Sequence, residues 1–102
     1  MKRFKSAKDI RVGVIGYGGA FNMGRHHLAE MRLAGMTPAA VAEIDTSRLD
    51  VARADYPGIE TYTSVSEMLK KSDVNLVTII TPHNTHAKLA MQCLNAKRHV
   101  VC

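Results

Sequence analysis

The sequence lacks the features of a membrane, metal-binding or disulfide-rich protein. It has no tryptophan, two phenylalanines and two cysteines, and its apolar runs are only a few residues long. A membrane helix needs about 20 consecutive apolar residues, so no transmembrane span is predicted. Cys93 and Cys102 have neither CxxC spacing nor a nearby ligand cluster. We therefore expect buried thiols, no disulfide framework and no metal site.

The bulk composition is typical of a single globular domain. A chain of 102 residues, 46% hydrophobic and 23% charged, can bury a modest core. Most of the formal net charge of +5 lies in the first eleven residues, which contain Lys2, Arg3, Lys5, Lys8 and Arg11. No aromatic interleaving follows, so we expect residues 1–9 to be a solvated arm without nucleic-acid binding. No cleavage site follows either, and we expect a cytoplasmic protein.

Five strand-like segments alternate with four segments of helical periodicity. The predicted strands are Ile10–Ile15, Ala39–Ile44, "IETYT" (59–63), "NLVTIIT" (75–81) and "HVVC" (99–102). The predicted helices are Gly24–Leu33, a segment capped by Asp45 or Thr46 and ended by Pro57, residues 64–72 and His86–Asn95. This alternation predicts an α/β fold, a Rossmann-like doubly wound parallel sheet that ends after its fifth strand over residues 10–102. Ligands of such sheets bind at the carboxyl ends of the strands, where strand order reverses.

Local signals mark several helix ends. Ser64 stands three residues before Glu67 and forms the pattern of a capping box. Gly35 is a plausible stop for the first helix. That helix is expected to pack on the sheet through apolar residues at helical spacing, namely Leu28, Met31 and Leu33.

The turn after the first predicted strand nearly contains the motif GxGxxG. Gly16 and Gly18 occupy its first two positions, Phe21 stands at the third, and Gly24 comes three residues late. Glycines let the backbone approach a pyrophosphate, and the following helix directs its N–H groups at the anion. The predicted cofactor-binding turn comprises Gly16, Tyr17, Gly18, Gly19, Ala20 and Gly24.

The three additional residues of this turn have two interpretations. A bulge over Ala20–Met23 leaves Gly24 as the close-packing glycine, whereas a longer helix gains almost one turn at its start. Asn22 and Gly24 have low helix propensity, which favours the bulge. Phe21 and Met23 then form an apolar lip near the cofactor, or Phe21 folds back onto the core.

Glu43 lies at the end of the second predicted strand, 27 residues beyond Gly16. After subtraction of the insertion, this is near the spacing at which an acid binds the adenosine ribose. Such an acid repels a 2′-phosphate, so NAD is expected in preference to NADP, although the proximity of Arg48 weakens that inference. Asp45 is better suited to capping the next helix. The alternative is that Glu43 is a surface acid at a strand end.

With the segment "TPHNTH" (81–86), the sequence resembles one particular protein family. Together "VGVIGYGG", Glu43 and "LVTIITPHNTHAKLAMQCLNAKRHVVC" resemble the N-terminal half of the glucose-fructose oxidoreductase, inositol dehydrogenase and rhizopine-catabolism family, Gfo/Idh/MocA. In that family a Pro and a His after the fourth strand line the nicotinamide, and Pro82 and His86 match them. The resemblance adds as neighbours Thr81, His83 and Asn84, with Asn84 or Thr85 also available to cap the helix. The alternative for His86 is a local hydrogen bond at a helix start.

Two further residue types near the turn invite a functional interpretation. His26 and His27 are adjacent, point in different directions on a helix and have no third ligand nearby, so no metal site is predicted. Instead His27 resembles a family histidine that follows the third glycine. Tyr17 is expected either to contact the cofactor or substrate or to lie on the surface.

The resemblance implies an NAD(P)-dependent oxidoreductase that acts on a secondary hydroxyl of a sugar, cyclitol or related polyol. Family members continue after the fifth strand with Glu-Lys-Pro, whose lysine is the general acid or base, and then with a second domain. This chain ends at Cys102, before that motif, so no catalytic residue is expected in it. We expect it to bind the dinucleotide without turnover. A sugar-like substrate and homo-oligomerisation are expected of the full-length protein only.

Two other functions remain open from the sequence. A methyltransferase that uses S-adenosylmethionine also has a glycine turn and an acid after the second strand, but it needs no nicotinamide lining such as "TPHNTH". A non-catalytic dinucleotide sensor or interaction domain would lack the lysine natively.

Overall fold

A computed structural model describes residues 9–17, 23–80 and 83–101, with only the backbone described for Met23 and residues 83–86. Strands and helices alternate along the chain. The strands are β1 (Arg11–Ile15), β2 (Thr37–Ala42), β3 (Glu60–Tyr62), β4 (Leu76–Ile79) and β5 (His99–Val101). The helices are α1 (Met23–Leu33), α2 (Thr46–Asp55), α3 (Val65–Lys71) and α4 (His83–Asn95).

The five strands form one parallel sheet in the order β3-β2-β1-β4-β5. The chain moves outward from β1 to β3 and then returns to pair β4 with the other side of β1. Strand order therefore reverses between β1 and β4, which is the position where doubly wound sheets bind ligands. The predicted Rossmann-like fold is confirmed.

Two apolar clusters cover the two faces of the sheet because successive side chains of a strand point to opposite faces. Val12 and Val14 of β1 pack with Leu28 of α1 and Leu49 of α2. Ile15 packs on the other face, in a cluster that includes Met68 and Leu69 from α3 and Cys93 from α4. Cys93 is a buried thiol, as expected, and Cys102 lies outside the described residues.

Most predicted helix ends are confirmed. Asp45 caps α2 through a hydrogen bond from Ser47 N, and Ser64 caps α3 through one from Glu67 N. Gly35, two residues after the end of α1, adopts a φ of 96°, a left-handed conformation that glycine allows.

Three expectations about the elements are wrong. The second strand spans Thr37–Ala42 rather than Ala39–Ile44, so Glu43 lies beyond its end. Helix α4 begins at His83, so Asn84 and Thr85 lie within its first turn and do not cap it. Proline's fixed φ favours a helix start, which accounts for an early start after Pro82 in the sequence.

The third wrong expectation concerns the apolar face of α1. Leu33 is 85% exposed, whereas Leu28 is buried and Met31 is half-buried. Residues three or four apart share a helix face. Leu33 lies five positions after Leu28 and therefore points away from the sheet.

Within the described residues, no helix is long and apolar enough to cross a membrane. No group of three or more His, Cys, Asp or Glu side chains in this part of the chain is arranged to hold a metal ion.

Candidate functional site

A cleft of about 800 Å³ opens at the carboxyl ends of the central strands. Ile15 and Gly16 line it at the end of β1, Glu43 follows β2, and Ile80 follows β4. Its further lining comes from the loop before α3 and from α4. The cleft therefore lies beside the reversal of strand order between β1 and β4, where the fold predicts a ligand.

Gly16 forms the turn that leaves β1. Its φ of 92° falls in the left-handed region, which residues with a Cβ rarely adopt. Its N–H donates to the carbonyl oxygen of Ala42 over 2.9 Å, so the turn is joined to β2 at the edge of the cleft.

Gly24 lies in the first turn of α1 and packs directly against that glycine. A Cβ atom at position 24 would stand 2.1 Å from the carbonyl oxygen of Gly16. Real atoms cannot approach so closely, so only glycine lets the start of α1 reach the turn. Gly24 thus packs closely against the turn, as the bulge interpretation expects of it, three positions later than in GxGxxG.

Several predicted site residues lie outside the described part of the chain. These are Gly18, Gly19, Ala20, Phe21, Asn22, Thr81 and Pro82. The choice between a bulge and a longer helix therefore stays open. For His83, Asn84 and His86, only their backbone positions in the first turn of α4 are described.

Glu43 is the buried acid of the cleft, with 8% of its surface exposed. Its Oε1 accepts a hydrogen bond from Tyr17 N at 3.1 Å, and its Oε2 accepts one from Asp45 N at 3.0 Å. These two donors come from the turn after β1 and from the start of α2. Glu43 is therefore held at the junction of these segments and is not a freely exposed acid at a strand end.

Asp45 has the separate role that the sequence predicted. Its Oδ1 accepts hydrogen bonds from Ser47 N at 3.0 Å and from Ser47 Oγ at 2.6 Å. These hydrogen bonds, assisted by the charge of Arg48, lower the pKa of the Asp45 carboxyl below its usual value. Asp45 caps α2, which leaves Glu43 as the acid held between the turn and the helix.

Tyr17 is buried, so the expectation that it lies on the surface is wrong. Only 1% of it is exposed, and its ring packs with the α1 and α2 face of the core. Its hydroxyl donates to Asp55 Oδ2 at 2.6 Å, and Arg25 donates to both carboxylate oxygens of Asp55 at 2.7 and 2.8 Å. The side chain thus anchors the turn beneath the cleft.

The hydrogen bonds among Tyr17, Asp55 and Arg25 shift the pKa values of Tyr17 and Asp55. Burial, followed by the hydrogen bond to Asp55, raises the pKa of Tyr17 well above its ordinary value. The hydrogen bonds from Arg25 lower the pKa of Asp55. Tyr17 is therefore a neutral donor and Asp55 an ionised acceptor at neutral pH. Sequence reasoning missed Arg25 and Asp55, which lie 30 positions apart.

Arg48 and Lys88 bring positive charge to the lining of the cleft. Arg48 Nη1 lies 3.3 Å from Glu43 Oε1, and its Nε lies 3.5 Å from Asp45 Oδ2. Lys88 lies on α4 one turn before Gln92, which also lines the cleft. The sequence analysis did not identify Lys88, although its spacing from Gln92 places both on one helix face.

His26 and His27 lie on α1 with ring centroids 6.4 Å apart and rings perpendicular. His26 Nε2 lies 3.6 Å from Glu30 Oε1, one turn along the same helix. These contacts lie within α1, and the predicted match of His27 to a family histidine stays a prediction.

Comparison with known proteins identifies the family of the chain. The model of the Gfo/Idh/MocA oxidoreductase family, NAD-binding Rossmann fold, matches residues 10–102. The chain belongs to this family. Inositol 2-dehydrogenase of Rubrobacter xylanophilus is 34% identical over 96 residues, which cover 94% of this chain and 27% of that protein. The chain thus spans about a quarter of this relative's length.

Other Gfo/Idh/MocA similarities concern the cofactor and the fold. The scyllo-inositol 2-dehydrogenase (NADP(+)) IolW of Bacillus subtilis is 27% identical over 101 residues, 99% of this chain and 27% of that protein. The WlbA dehydrogenase of Bordetella pertussis, solved with NADH and UDP-GlcNAcA, has a TM-score of 0.80 and 25% identity. That match covers 89% of this chain and 26% of the WlbA chain. The chain is the NAD-binding Rossmann domain of this family, and the predicted resemblance is confirmed.

Proposed function

We propose that the cleft binds NAD with the diphosphate at the glycine turn and the adenosine ribose at Glu43. The observation that carries the proposal is the position of Glu43, buried beside the turn and bonded to Tyr17 N. A carboxylate there can accept the ribose hydroxyls while the turn and the start of α1 receive the phosphates.

The residues around the turn fit a diphosphate. Gly16 presents no side chain to the cleft, and Gly24 brings the start of α1 against it. The N-terminus of a helix carries partial positive charge and unpaired N–H donors, which favour an anion. Gly18, Gly19 and Ala20 complete the proposed turn by their place in the motif.

The nicotinamide end is proposed to lie by the segment after β4. The resemblance to the family assigns this role to Pro82 and His86, with Thr81, His83 and Asn84 as neighbours. Ile80 lines the cleft immediately before this segment, and α4 begins within it at His83. This placement supports the proposal because β4 lies next to β1 in the sheet.

For the whole protein, we propose a dehydrogenase that oxidises a secondary hydroxyl of a cyclitol, sugar or related polyol. Support comes from the relative named inositol 2-dehydrogenase and from WlbA, which was solved with a nucleotide sugar. The nicotinamide supplies the hydride acceptor when it is bound. The residues of this chain hold and orient that ring, and the group that moves the hydroxyl proton is proposed to lie outside residues 1–102.

Cofactor titration tests the proposal directly. The sequence has no tryptophan, so the rise in NADH fluorescence on binding can be followed without tryptophan emission. We expect saturable binding of NADH and none of S-adenosylmethionine, measured in parallel by calorimetry. Neither the methyltransferase nor the sensor interpretation is favoured by the family match.

The variant Glu43→Gln sharpens the test because glutamine keeps an oxygen acceptor but loses the charge. Hydrogen bonds to charged groups contribute about 1.5–3 kcal/mol, so the Kd for NADH should rise about tenfold or more. Glu30→Gln on the exposed face of α1 is the matched control and should leave the Kd unchanged. Equal Kd values for both variants, or binding of S-adenosylmethionine instead of NADH, would contradict the proposal.

A further inference from the structure

The carboxylate of Asp55 joins both ends of the proposed phosphate-binding turn, which runs from Gly16 to Gly24. Tyr17 lies at the beginning of this turn, and Arg25 directly follows its end. The hydroxyl of Tyr17 donates to Asp55 Oδ2 at 2.6 Å, and Arg25 Nε donates to the same oxygen at 2.7 Å. Arg25 Nη2 donates to Asp55 Oδ1 at 2.8 Å, so the ion pair is bidentate. A single side chain of α2 therefore binds both ends of a turn that connects β1 to α1.

These contacts lie beneath the cleft and not in the space that a ligand would fill. Among the described residues that line the cleft, none is Tyr17, Arg25 or Asp55. Tyr17 is 1% exposed, and the side chain of Asp55 is 22% exposed. A shielded, bidentate ion pair holds its position better than an exposed surface pair does. Any effect of the three side chains on a ligand in the cleft must therefore pass through the turn or through their charge.

The places of Arg25 and Asp55 in their helices indicate that the ion pair serves the turn. Arg25 lies in the first turn of α1, and Asp55 is the last residue of α2. A helix N-terminus carries partial positive charge and a C-terminus partial negative charge, so each residue has the sign that its own helix end disfavours. Neither charge is placed to stabilise its own helix. The favourable interactions of both come from the contact between the helices and from the hydroxyl of Tyr17.

The backbone beside these side chains is fixed to the edge of the cleft. Gly16 N donates to the carbonyl oxygen of Ala42 at 2.9 Å. Gly24, the neighbour of Arg25, packs so closely on Gly16 that a Cβ would lie 2.1 Å from its carbonyl oxygen. A shift of Tyr17 or Arg25 therefore moves the N–H groups of the turn and of the start of α1. These groups bind an anion well only when they are already in place, because ordering them on binding costs free energy.

We propose that Asp55 is a positioning residue that, through Tyr17 and Arg25, holds the turn in the conformation that receives the diphosphate of the dinucleotide. This inference rests on the proposed function of the cleft. It predicts that NADH affinity depends on a carboxylate that does not touch NADH. It also predicts a larger effect on ligands with a diphosphate than on adenosine, because Glu43 keeps a second donor, Asp45 N at 3.0 Å, when the turn is released.

Asp55→Asn separates positioning from simple electrostatics. The substitution removes a negative charge from beside the first turn of α1. If Asp55 acted only through its charge, an anionic ligand at that turn would bind the variant more tightly. If Asp55 positions the turn, the ligand binds more weakly. Asp50→Asn is the matched control, since Asp50 lies on the same helix, carries the same charge and pairs with Arg53 at 2.6 Å.

Tyr17→Phe tests the same contact without a change of charge. Phenylalanine keeps the ring in the core and removes only the hydroxyl that donates to Asp55. The apparent Kd scales inversely with the fraction of molecules in the binding conformation, so the Kd for NADH should rise about threefold to tenfold in Tyr17→Phe and in Asp55→Asn. The double variant should show less than the product of the two effects, because both substitutions remove the same contact.

The test is titration of the wild-type chain and the variants with three probes, well below the melting temperature of each protein. NADH and ADP-ribose contain the diphosphate and are titrated by calorimetry. Adenosine lacks it and is titrated by NMR chemical-shift changes. In Tyr17→Phe and Asp55→Asn, the Kd values for NADH and ADP-ribose should rise together, while that for adenosine stays nearly unchanged. Asp50→Asn should not weaken the binding of any probe.

Val74→Ala is the control for lost stability. Val74 is buried in the apolar cluster on the other face of the sheet, so its truncation destabilises the fold without removing a contact of the turn. Thermal melting should show the lower stability of this variant, and its Kd values should equal those of the wild type.

Unchanged or tighter NADH binding in Asp55→Asn would overturn the inference and leave the proposed function of the cleft intact. So would an unchanged Kd in Tyr17→Phe or an equal rise of the Kd for adenosine. An equal rise in Val74→Ala would also overturn it, because lost stability alone would then explain the effect. A wild-type chain that binds neither NADH nor ADP-ribose would overturn the proposed function of the cleft and this inference with it.

Discussion

The carbonyl oxygen of Gly16 and the α-carbon of Gly24 are in such close contact that a Cβ on Gly24 would lie 2.1 Å from that oxygen. The start of α1 and the turn after β1 are thus packed backbone to backbone. This contact defines the distance between the helix N-terminus and the cleft. The proposed diphosphate site depends on that distance.

Gly24→Ala should therefore reduce both stability and dinucleotide affinity. Alanine is the better helix former, but the added methyl must push α1 away from Gly16, and such overpacking costs about 1–3 kcal/mol. Urea unfolding and NADH titration measure the two effects. Gly58→Ala is the control, since no atom lies within 4 Å of its added Cβ although its φ of 91° is strained. It should reduce stability alone. A more stable Gly24→Ala variant with normal affinity would refute this account of the turn.

Tyr17→Phe should destabilise the chain by about 1–2 kcal/mol, because a partly buried hydrogen bond to a charged acceptor is lost. The ring keeps its place in the core, so the loss is due to the hydroxyl and Asp55. Denaturant unfolding measures the effect. Tyr56→Phe provides a comparison, because Tyr56 contacts Arg32 through its ring, 5.6 Å from the guanidinium carbon. Equal effects of the two substitutions would mean that the bond from Tyr17 to Asp55 contributes nothing.

Asp55 predicts how stability depends on acid pH. Hydrogen bonds from Arg25 hold its pKa in the folded chain below the ordinary value, which is about 3.9. Because this pKa is lowered, Asp55 takes up its proton at a lower pH in the folded chain than in the unfolded chain. The stabilisation is therefore present above about pH 4 and is lost as pH falls through the folded pKa. Unfolding measured from pH 6 to pH 2 should show a shallower decline in Asp55→Asn than in the wild type. A parallel decline in the two proteins would exclude this contribution.

The fold was largely predictable because its signals are local. Alternating apolar segments identified five strands, and the capping pattern at Ser64 placed the start of α3. The direction of Tyr17 was not predictable in this way. By strand alternation it would share a face with Ile15, yet it packs with Val12 and Val14. The left-handed φ of Gly16 changes the direction of the chain between Ile15 and Tyr17, and this angle cannot be read from the sequence.

The site was predictable to the extent that it follows the strand ends. Glu43 could be found by its distance from Gly16 along the chain. The network of Tyr17, Asp55 and Arg25 joins two helices through contacts 30 and 38 positions apart, and no sequence spacing encodes them. Packing of α1 and α2 on one face of the sheet creates this network, so it became visible only in three dimensions.

Ser64→Ala tests the capping of α3, which the sequence pattern at Ser64 and Glu67 predicted. The hydroxyl of Ser64 accepts a hydrogen bond from Glu67 N at 3.0 Å at the start of α3, beside the cleft. Loss of an N-cap costs about 1 kcal/mol, whereas asparagine caps as well as serine does. Urea unfolding should therefore show a clear loss for Ser64→Ala and almost none for Ser64→Asn. Because α3 packs on the sheet through Met68 and Leu69, the loss should appear in the cooperative unfolding of the whole domain. Equal stability of the two variants would show that the capping bond is not what holds the start of α3.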